Sequence, residues 1–304
     1  MSPLIPYFEL PELPVISEKF FGSFPETAIT LKPFGMLVAL GAYTGTVAAL
    51  RQARRLGASE RAMLSFTGWV AVSALVFAHW LDALFYYPRD VLEDPLLLLR
   101  LWEGLSSFGG FAGAFVGAFA WRFHYKATLL PYADIVASSF PVSMAFGRLG
   151  CAVAHDHPGL RSDFFLAVRF PDGGRHDLGF YEFLLMAPLA MTFLILRRKP
   201  RPWGFYGGIL CTVYAPLRFL LDFLRERSEV FEPGVVATAD ARYLGLTPAQ
   251  WACLPLFALG VTLLARLPRQ GREPPTVPVA FSRGDPPHSG VDREGAASDT
   301  RDER

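Results

Sequence analysis

Seven stretches of this 304-residue chain are apolar over close to the roughly 20 residues that a helix needs to cross a bilayer. They run Pro33–Leu50, Met63–Tyr87, Leu105–Trp121, Leu129–Gly147, Leu178–Leu196, Gly204–Leu224 and Gln250–Leu267. Backbone N–H and C=O groups in hydrocarbon must find partners within the protein, and a helix satisfies them locally. The chain is 19% charged, against roughly 25% in a soluble domain, and its charges gather between the stretches. These features predict an all-α polytopic membrane protein of about seven transmembrane helices. Three regions follow: an external or interfacial segment over residues 1–31, a transmembrane domain over 32–268, and a polar tail over 269–304. The tail is rich in Pro, Gly, Ser, Asp and Arg, a composition that predicts disorder.

The connecting loops alternate in charge. Arg51, Arg54, Arg55 and Arg61 follow the first stretch, Arg122 and Lys126 the third. Arg197, Arg198, Lys199 and Arg201 follow the fifth, and Arg266, Arg269 and Arg272 the seventh. Between them lie acidic or mixed loops, with Asp90, Glu93, Asp94 and Glu103 after the second stretch and Glu226, Glu229 and Glu232 after the sixth. The positive-inside rule predicts an external N-terminus and a cytoplasmic C-terminus. Residues 1–6 lack a basic start followed by an apolar core, so no cleavable signal peptide is expected. The net charge of +1 gives no basic field for nucleic acid. Cys151, Cys211 and Cys253 lie far apart with no C-x-x-C pair, which suggests three small buried hydrophobes.

Two arginines interrupt this apolar pattern. Arg148 closes the fourth stretch, and Arg218 lies inside the sixth, with Asp222 and Arg225 on the same helical face. A guanidinium keeps its proton, so in a membrane it needs an anion, a carboxylate or water. Its planar fork suits phosphate. A salt bridge between Arg218 and Asp222 is the structural alternative. On the predicted topology both arginines approach the outer leaflet from one side. Glu182 is a carboxylate among apolar neighbours whose natural partner is one of these arginines. Tyr181 beside it also fits an interfacial belt, and Arg175 and His176 sit near the external surface. His79 and Asp82 share a face of the second stretch, as a structural pair or a polar pocket wall. His155, Asp156 and His157 form an H-x-H beside a carboxylate. The third ligand that a metal needs is missing at helical or hairpin spacing, so a polar turn at Pro158–Gly159 is the plainer reading and no metal is expected. One of these imidazoles could still serve as a base or orienting group.

The chain resembles the prolipoprotein diacylglyceryl transferases from about Leu31 to Leu267. The likeness rests on residues 31–36 (Leu-Lys-Pro-Phe-Gly-Met), on Asp94-Pro-Leu with Arg100-Leu-Trp-Glu-Gly104, and on Ser107-Phe-Gly-Gly110 with Gly113. It continues through Gly147-Arg-Leu-Gly-Cys151, Arg175-His176 with Tyr181-Glu182, and Tyr214 with Leu217-Arg-Phe and Asp222-Phe-Leu-Arg225. The last three blocks are specific in combination and in this order. The resemblance implies transfer of diacylglyceryl from phosphatidylglycerol to the lipobox cysteine thiol of prolipoproteins, releasing glycerol phosphate. It implies a monomer without cofactor in the bacterial cytoplasmic (inner) membrane, active toward the outer leaflet, with phosphatidylglycerol, prolipoprotein signal peptides and membrane lipids as partners. Arg148 then matches the lipid-binding arginine, Arg218 a second essential arginine, and Asp222 stands for the family's glutamate. Arg148 and Arg218 are the expected catalytic residues, with Asp222, Arg225, Arg175, Tyr181 and Glu182 completing substrate binding.

Several positions depart from the family pattern. Phe108 stands where a histidine is usual, Phe34 for tyrosine, His79 for arginine and Gly179 for glutamine, and Ala154–Asp156 replaces an Asn-Gly. His155 and Asp156 are the candidates to take over the histidine's work. A relative that only binds anionic phospholipid or prolipoprotein is the alternative reading. A proton-coupled transporter using His79, Asp82, Glu182 and Asp222 would call for internal repeats, and the sequence has none.

Overall fold

The computed structural model describes residues 3–11, 13–14, 30–101, 104–226, 242–267 and 278–282. Its helices are α1 (Pro33–Arg55), α2 (Glu60–Tyr86), α3 (Pro88–Glu93), α4 (Ser107–Tyr125), α5 (Leu129–Ala154), α6 (Leu178–Leu196), α7 (Phe205–Leu221), α8 (Pro248–Arg266) and α9 (Val279–Ser282). Each expected span is one of the long helices. Six of them, all but α4, are long and apolar enough to cross a membrane. Glycines and a last turn carrying Arg122 and His124 dilute the apolar character of α4. Large side chains such as Val72, Phe85, Phe115, Phe123 and Met191 remain exposed on the helices, as side chains facing lipid do.

Backbone proximity explains the glycine spacing in α4. A Cβ at Gly109, Gly113 or Gly117 would fall 2.4, 2.3 or 2.6 Å from the carbonyl oxygen of Phe77, Ser73 or Trp69 on α2. The four-residue period of one helix thus meets that of the other, and only hydrogen fits between them. Gly179 does the same on α6, where a Cβ would lie 2.7 Å from Cys151 Cβ on α5. That close approach brings the first turns of α6 against the last turns of α5.

The basic ends of the helices meet. Arg197 at the end of α6 donates to Gln52 Oε1 at 3.2 Å and to the carbonyl of Ala48, both on α1. Asp134 in α5 accepts from the Gly207 amide of α7 at 2.8 Å. Met63 and Phe66 of α2, Trp121 of α4, and Tyr132 and Ile135 of α5 form a buried core at this end. Part of the tail reaches this end too, since the Phe281 ring of α9 lies 4.9 Å from that of Tyr125. The disorder expected over 269–304 otherwise lies outside the described residues.

The opposite end differs from the all-helical expectation. The fourth span runs on through Ala154, so Arg148 lies inside α5 rather than at its end. The loop expected after it holds strands β4 (Pro158–Arg161), β5 (Val168–Phe170) and β6 (Gly173–Asp177), which form a sheet in the order β1-β5-β6-β4 with β1 (Ile5–Pro6). β1 pairs parallel to β5, and the other pairs are antiparallel. Pro171 and Asp172 turn the β5–β6 hairpin, and Gly173 takes a φ of +127° that other residues rarely adopt. The Pro-Asp-Gly string carried that turn signal in the sequence. β2 (Leu13–Pro14) and β3 (Thr30–Leu31) pair separately. Residues 1–2, 12 and 15–29 of the expected 1–31 segment lie outside the described residues.

Candidate active site

Glu182 sits one turn into α6 and is 1% exposed. Its Oε2 lies 3.0 Å from Arg148 Nε on α5, and its Oε1 lies 3.4 Å from Arg218 Nε on α7. The Tyr214 hydroxyl on α7 donates to Oε2 at 3.0 Å. A single carboxylate therefore bridges arginines that are 70 residues apart in sequence. Arg218 Nη1 continues to Asp222 Oδ1 at 2.7 Å, and Arg225 Nε reaches the same oxygen at 3.2 Å. The chain tightens into a 3₁₀ turn over Asp222–Leu224, which carries Arg225 back toward Asp222.

Asp222 is itself anchored from α8. The Thr247 hydroxyl donates to its Oδ2 and accepts from the Gln250 amide, while the Gln250 side chain accepts from the Thr247 amide at 3.0 Å. This capping box satisfies two free amides at the start of α8 and fixes a donor against the carboxylate. Three guanidinium groups and two carboxylates leave the cluster with one positive charge in excess. Beside it, Phe164, Leu166, His176, Tyr181, Leu184, Leu221 and Leu224 line an open apolar hollow of about 420 Å³. Tyr181 and Leu184 lie on α6 with Glu182, and Leu221 lies on α7 with Arg218, so the helices that carry the cluster also line the hollow.

A family model described as prolipoprotein diacylglyceryl transferase matches residues 23–266. The chain belongs to the prolipoprotein diacylglyceryl transferase family. It is 33% identical over 190 residues to a protein of Actinobacillus pleuropneumoniae serotype 3 named phosphatidylglycerol–prolipoprotein diacylglyceryl transferase, covering 60% of this chain and 68% of that protein. A Vibrio parahaemolyticus protein of the same name is 31% identical over 70% of this chain and 81% of its own length. One from Pseudomonas paraeruginosa is 26% identical over 76% and 87%.

Of the expected site residues, Arg148, Glu182, Arg218, Asp222 and Arg225 converge. Tyr181 borders the hollow, where its hydroxyl contacts His176 Nδ1 at 2.8 Å and the Leu166 carbonyl at 3.3 Å. Burial pushes the His176 imidazole below its ordinary value. Arg175 lies outside the cluster. It pairs with Asp172 across the hairpin turn and reaches Glu226 Oε2 at 2.8 Å, tying β6 to the segment that carries Arg225.

His155 is engaged in the sheet. Its Nδ1 meets Asp177 Oδ2 at 2.9 Å, its Nε2 meets the Phe8 carbonyl at 3.2 Å, and its ring stacks on Tyr7 with centroids 4.4 Å apart. Both ring nitrogens are therefore engaged by oxygens of the protein itself. Asp156 contacts His157, and Cys151 lies close to both, which the spacing alone did not show. His79 engages the carbonyls of Leu97 at 2.8 Å and Gly104 at 3.2 Å, holding the turn before α4. Phe108 stands in the first turn of α4. Thr247 and Gln250 went unnoticed as site residues, although Thr-x-x-Gln ahead of an apolar run is a legible capping signal.

The hairpin yields a pH prediction. The Arg175 guanidinium, with Arg161 adding to it, holds the Asp172 carboxyl below its ordinary value. A depressed carboxyl stabilises the fold above its unfolded pKa of about 3.9, and that contribution fades as pH falls through the lower folded value. Asp172→Asn should therefore lower the thermal midpoint of purified protein at pH 7. The gap from wild type should close as pH drops below about 4. A gap that stays constant down to the acid limit would assign Asp172 a role independent of its charge.

Proposed function

We propose that this chain transfers the diacylglyceryl group of phosphatidylglycerol to the lipobox cysteine of a prolipoprotein, releasing glycerol phosphate. The observation that carries this reading is the buried Arg148–Glu182–Arg218–Asp222–Arg225 cluster, in a member of this family. Its single excess positive charge complements a phosphodiester. The apolar hollow alongside suits acyl chains. Relatives from three bacteria bear the name of this activity.

The cysteine thiol loses its proton to water, its sulfur attacks the glycerol carbon, a carbon–sulfur bond forms, and the carbon–oxygen bond to phosphate breaks. The bonding pair leaves with glycerol phosphate, which gains negative charge as a monoester. Fixed guanidinium groups then bind the transition state more strongly than the diester. Basic loops on the cytoplasmic side support an outward-facing cluster, near the outer leaflet of the bacterial inner membrane.

Purified protein supplied with labelled phosphatidylglycerol and a lipobox peptide should yield a thioether-linked lipopeptide. Lipid binding without that product would mean a relative that binds its substrate and does no chemistry.

A further inference from the structure

Arg225 follows the 3₁₀ turn at the end of α7 and has an extended backbone, at φ −67° and ψ 141°. Its Nε and Arg218 Nη1 share one carboxylate oxygen, Asp222 Oδ1. Two guanidinium groups at one oxygen repel each other. The Arg225 side chain is the more exposed of the two, at 22% against 11%, so it is the one that repulsion would drive out. The pair with Asp222 is therefore opposed from within the cluster, and the backbone has to help hold Arg225 in place.

The sheet supplies that hold. Arg225 forms an antiparallel bridge with Gly159 of β4. Only glycine permits the approach, since a Cβ at Gly159 would lie 2.5 Å from the Leu224 carbonyl oxygen. The next residue, Glu226, is gripped by Arg175 of β6. Arg175 Nη1 reaches Glu226 Oε2 at 2.8 Å and donates to the Gly159 carbonyl at 3.3 Å. The other edge of the same guanidinium, Nε and Nη2, donates to Asp172 in the hairpin turn. One side chain thus braces the hairpin against both partners of the bridge. The side chains of Arg175 and Glu226 are 13% and 18% exposed, which shields the pair from the solvent screening that weakens surface ion pairs.

The charge of the cluster depends on this brace. With Arg225 in place, three guanidinium groups face two carboxylates. Without it, Arg148 and Arg218 are cancelled by Glu182 and Asp222, and no excess positive charge remains for a phosphodiester.

We infer that Arg175 is a positioning residue, which pins the segment after α7 to the sheet through Glu226 and the Gly159 carbonyl and so keeps Arg225 in the anion site. The inference rests on the reading that this cluster takes the phosphate of phosphatidylglycerol. Arg175 acts through Arg225 and sets the preference for an anionic lipid over a zwitterionic one. Its rigid fork suits the task, because a lysine ammonium would act as a point charge without two opposed edges.

The test uses full-length protein in detergent micelles, titrated with labelled phosphatidylglycerol and, separately, with labelled phosphatidylcholine as the zwitterionic probe. Wild type should prefer phosphatidylglycerol. Arg175→Ala should cut that preference by on the order of tenfold to a hundredfold, the range reached when a remote change misplaces a binding group. Glu226→Gln breaks the same contact from its other side, should show the same loss, and serves where Arg175→Ala does not fold. The deciding comparison is with Arg225→Ala. It should lose the preference too, and adding Arg175→Ala to it should cost little more, because both changes remove one charge from one place. In transfer assays Arg175→Ala should raise the KM for phosphatidylglycerol and leave that for a lipobox peptide near wild type. A loss from Arg175→Ala that persists in full on the Arg225→Ala background would overturn the inference. Equal weakening of both lipids would do so as well, since it marks a purely structural role, as would wild-type protein indifferent to headgroup charge. Wild-type protein that prefers phosphatidylglycerol yet forms no lipopeptide would count against the transferase reading and leave the lipid comparison to decide the role of Arg175.

Discussion

Arg148→Ala and Arg218→Ala should each reduce diacylglyceryl transfer by at least about 10²–10³-fold, the loss expected when one preorganised charge donor is removed from a dry site. The two guanidinium groups sit on either side of one carboxylate, yet their surroundings differ. Arg218 is held by Glu182 and Asp222, whereas Arg148 pairs with Glu182 and borders a thiol. Arg148 thus has more donor capacity free for a phosphate oxygen. Arg148→Lys should remain severely impaired, because an ammonium reproduces the charge and not the fork. Lipopeptide formation under single-turnover conditions reads the effect, and gel filtration in detergent confirms that each variant is folded. Near-normal transfer by both alanine variants would make the arginines structural and remove the basis of the proposed mechanism.

Glu182→Gln should destabilise the helical bundle by roughly 3–5 kcal/mol, the usual consequence of removing one partner from a buried ion pair. Glutamine preserves shape and withdraws the charge that separates two guanidinium groups, while the acceptor of the Tyr214 hydroxyl becomes a neutral amide. The prediction has an internal check. Arg218 keeps Asp222 in Glu182→Gln, so adding Arg148→Ala removes the guanidinium that has lost its carboxylate, and the double variant should be less unstable than the single effects added together. Thermal unfolding in detergent measures all four corners of the cycle. Strict additivity would mean that the pair is not coupled and that Glu182 acts through other contacts.

Much of this architecture was legible in the sequence. Seven apolar runs became the seven long helices because hydrocarbon leaves a spanning backbone one local solution. Arg218, Asp222 and Arg225 were readable as one group from helical spacing, which fixes relative position within a turn or two. Gly109, Gly113 and Gly117 recur at the four-residue spacing that marks a close helix contact, and α2 supplies it. The resemblance singled out Arg148 as well.

What spacing could not convey was which distant residues share a carboxylate. Glu182 bridges Arg148 and Arg218 because Gly179 lets α6 press on α5, a contact set by three-dimensional packing. The polar loop after α5 also misled. Its short, Gly-rich strands are stabilised by pairing with one another and with residues 5–6, so no local apolar period marks them. His155, expected near the chemistry, was claimed by Asp177 and Phe8 through that sheet. The same turn brought Asp156 and His157 close to Cys151, a proximity that sequence spacing did not show. Local periodicity determined the helices and their charged faces. Tertiary packing decided which charges meet, because in a low-dielectric interior each buried charge must end beside a partner wherever the chain can bring one.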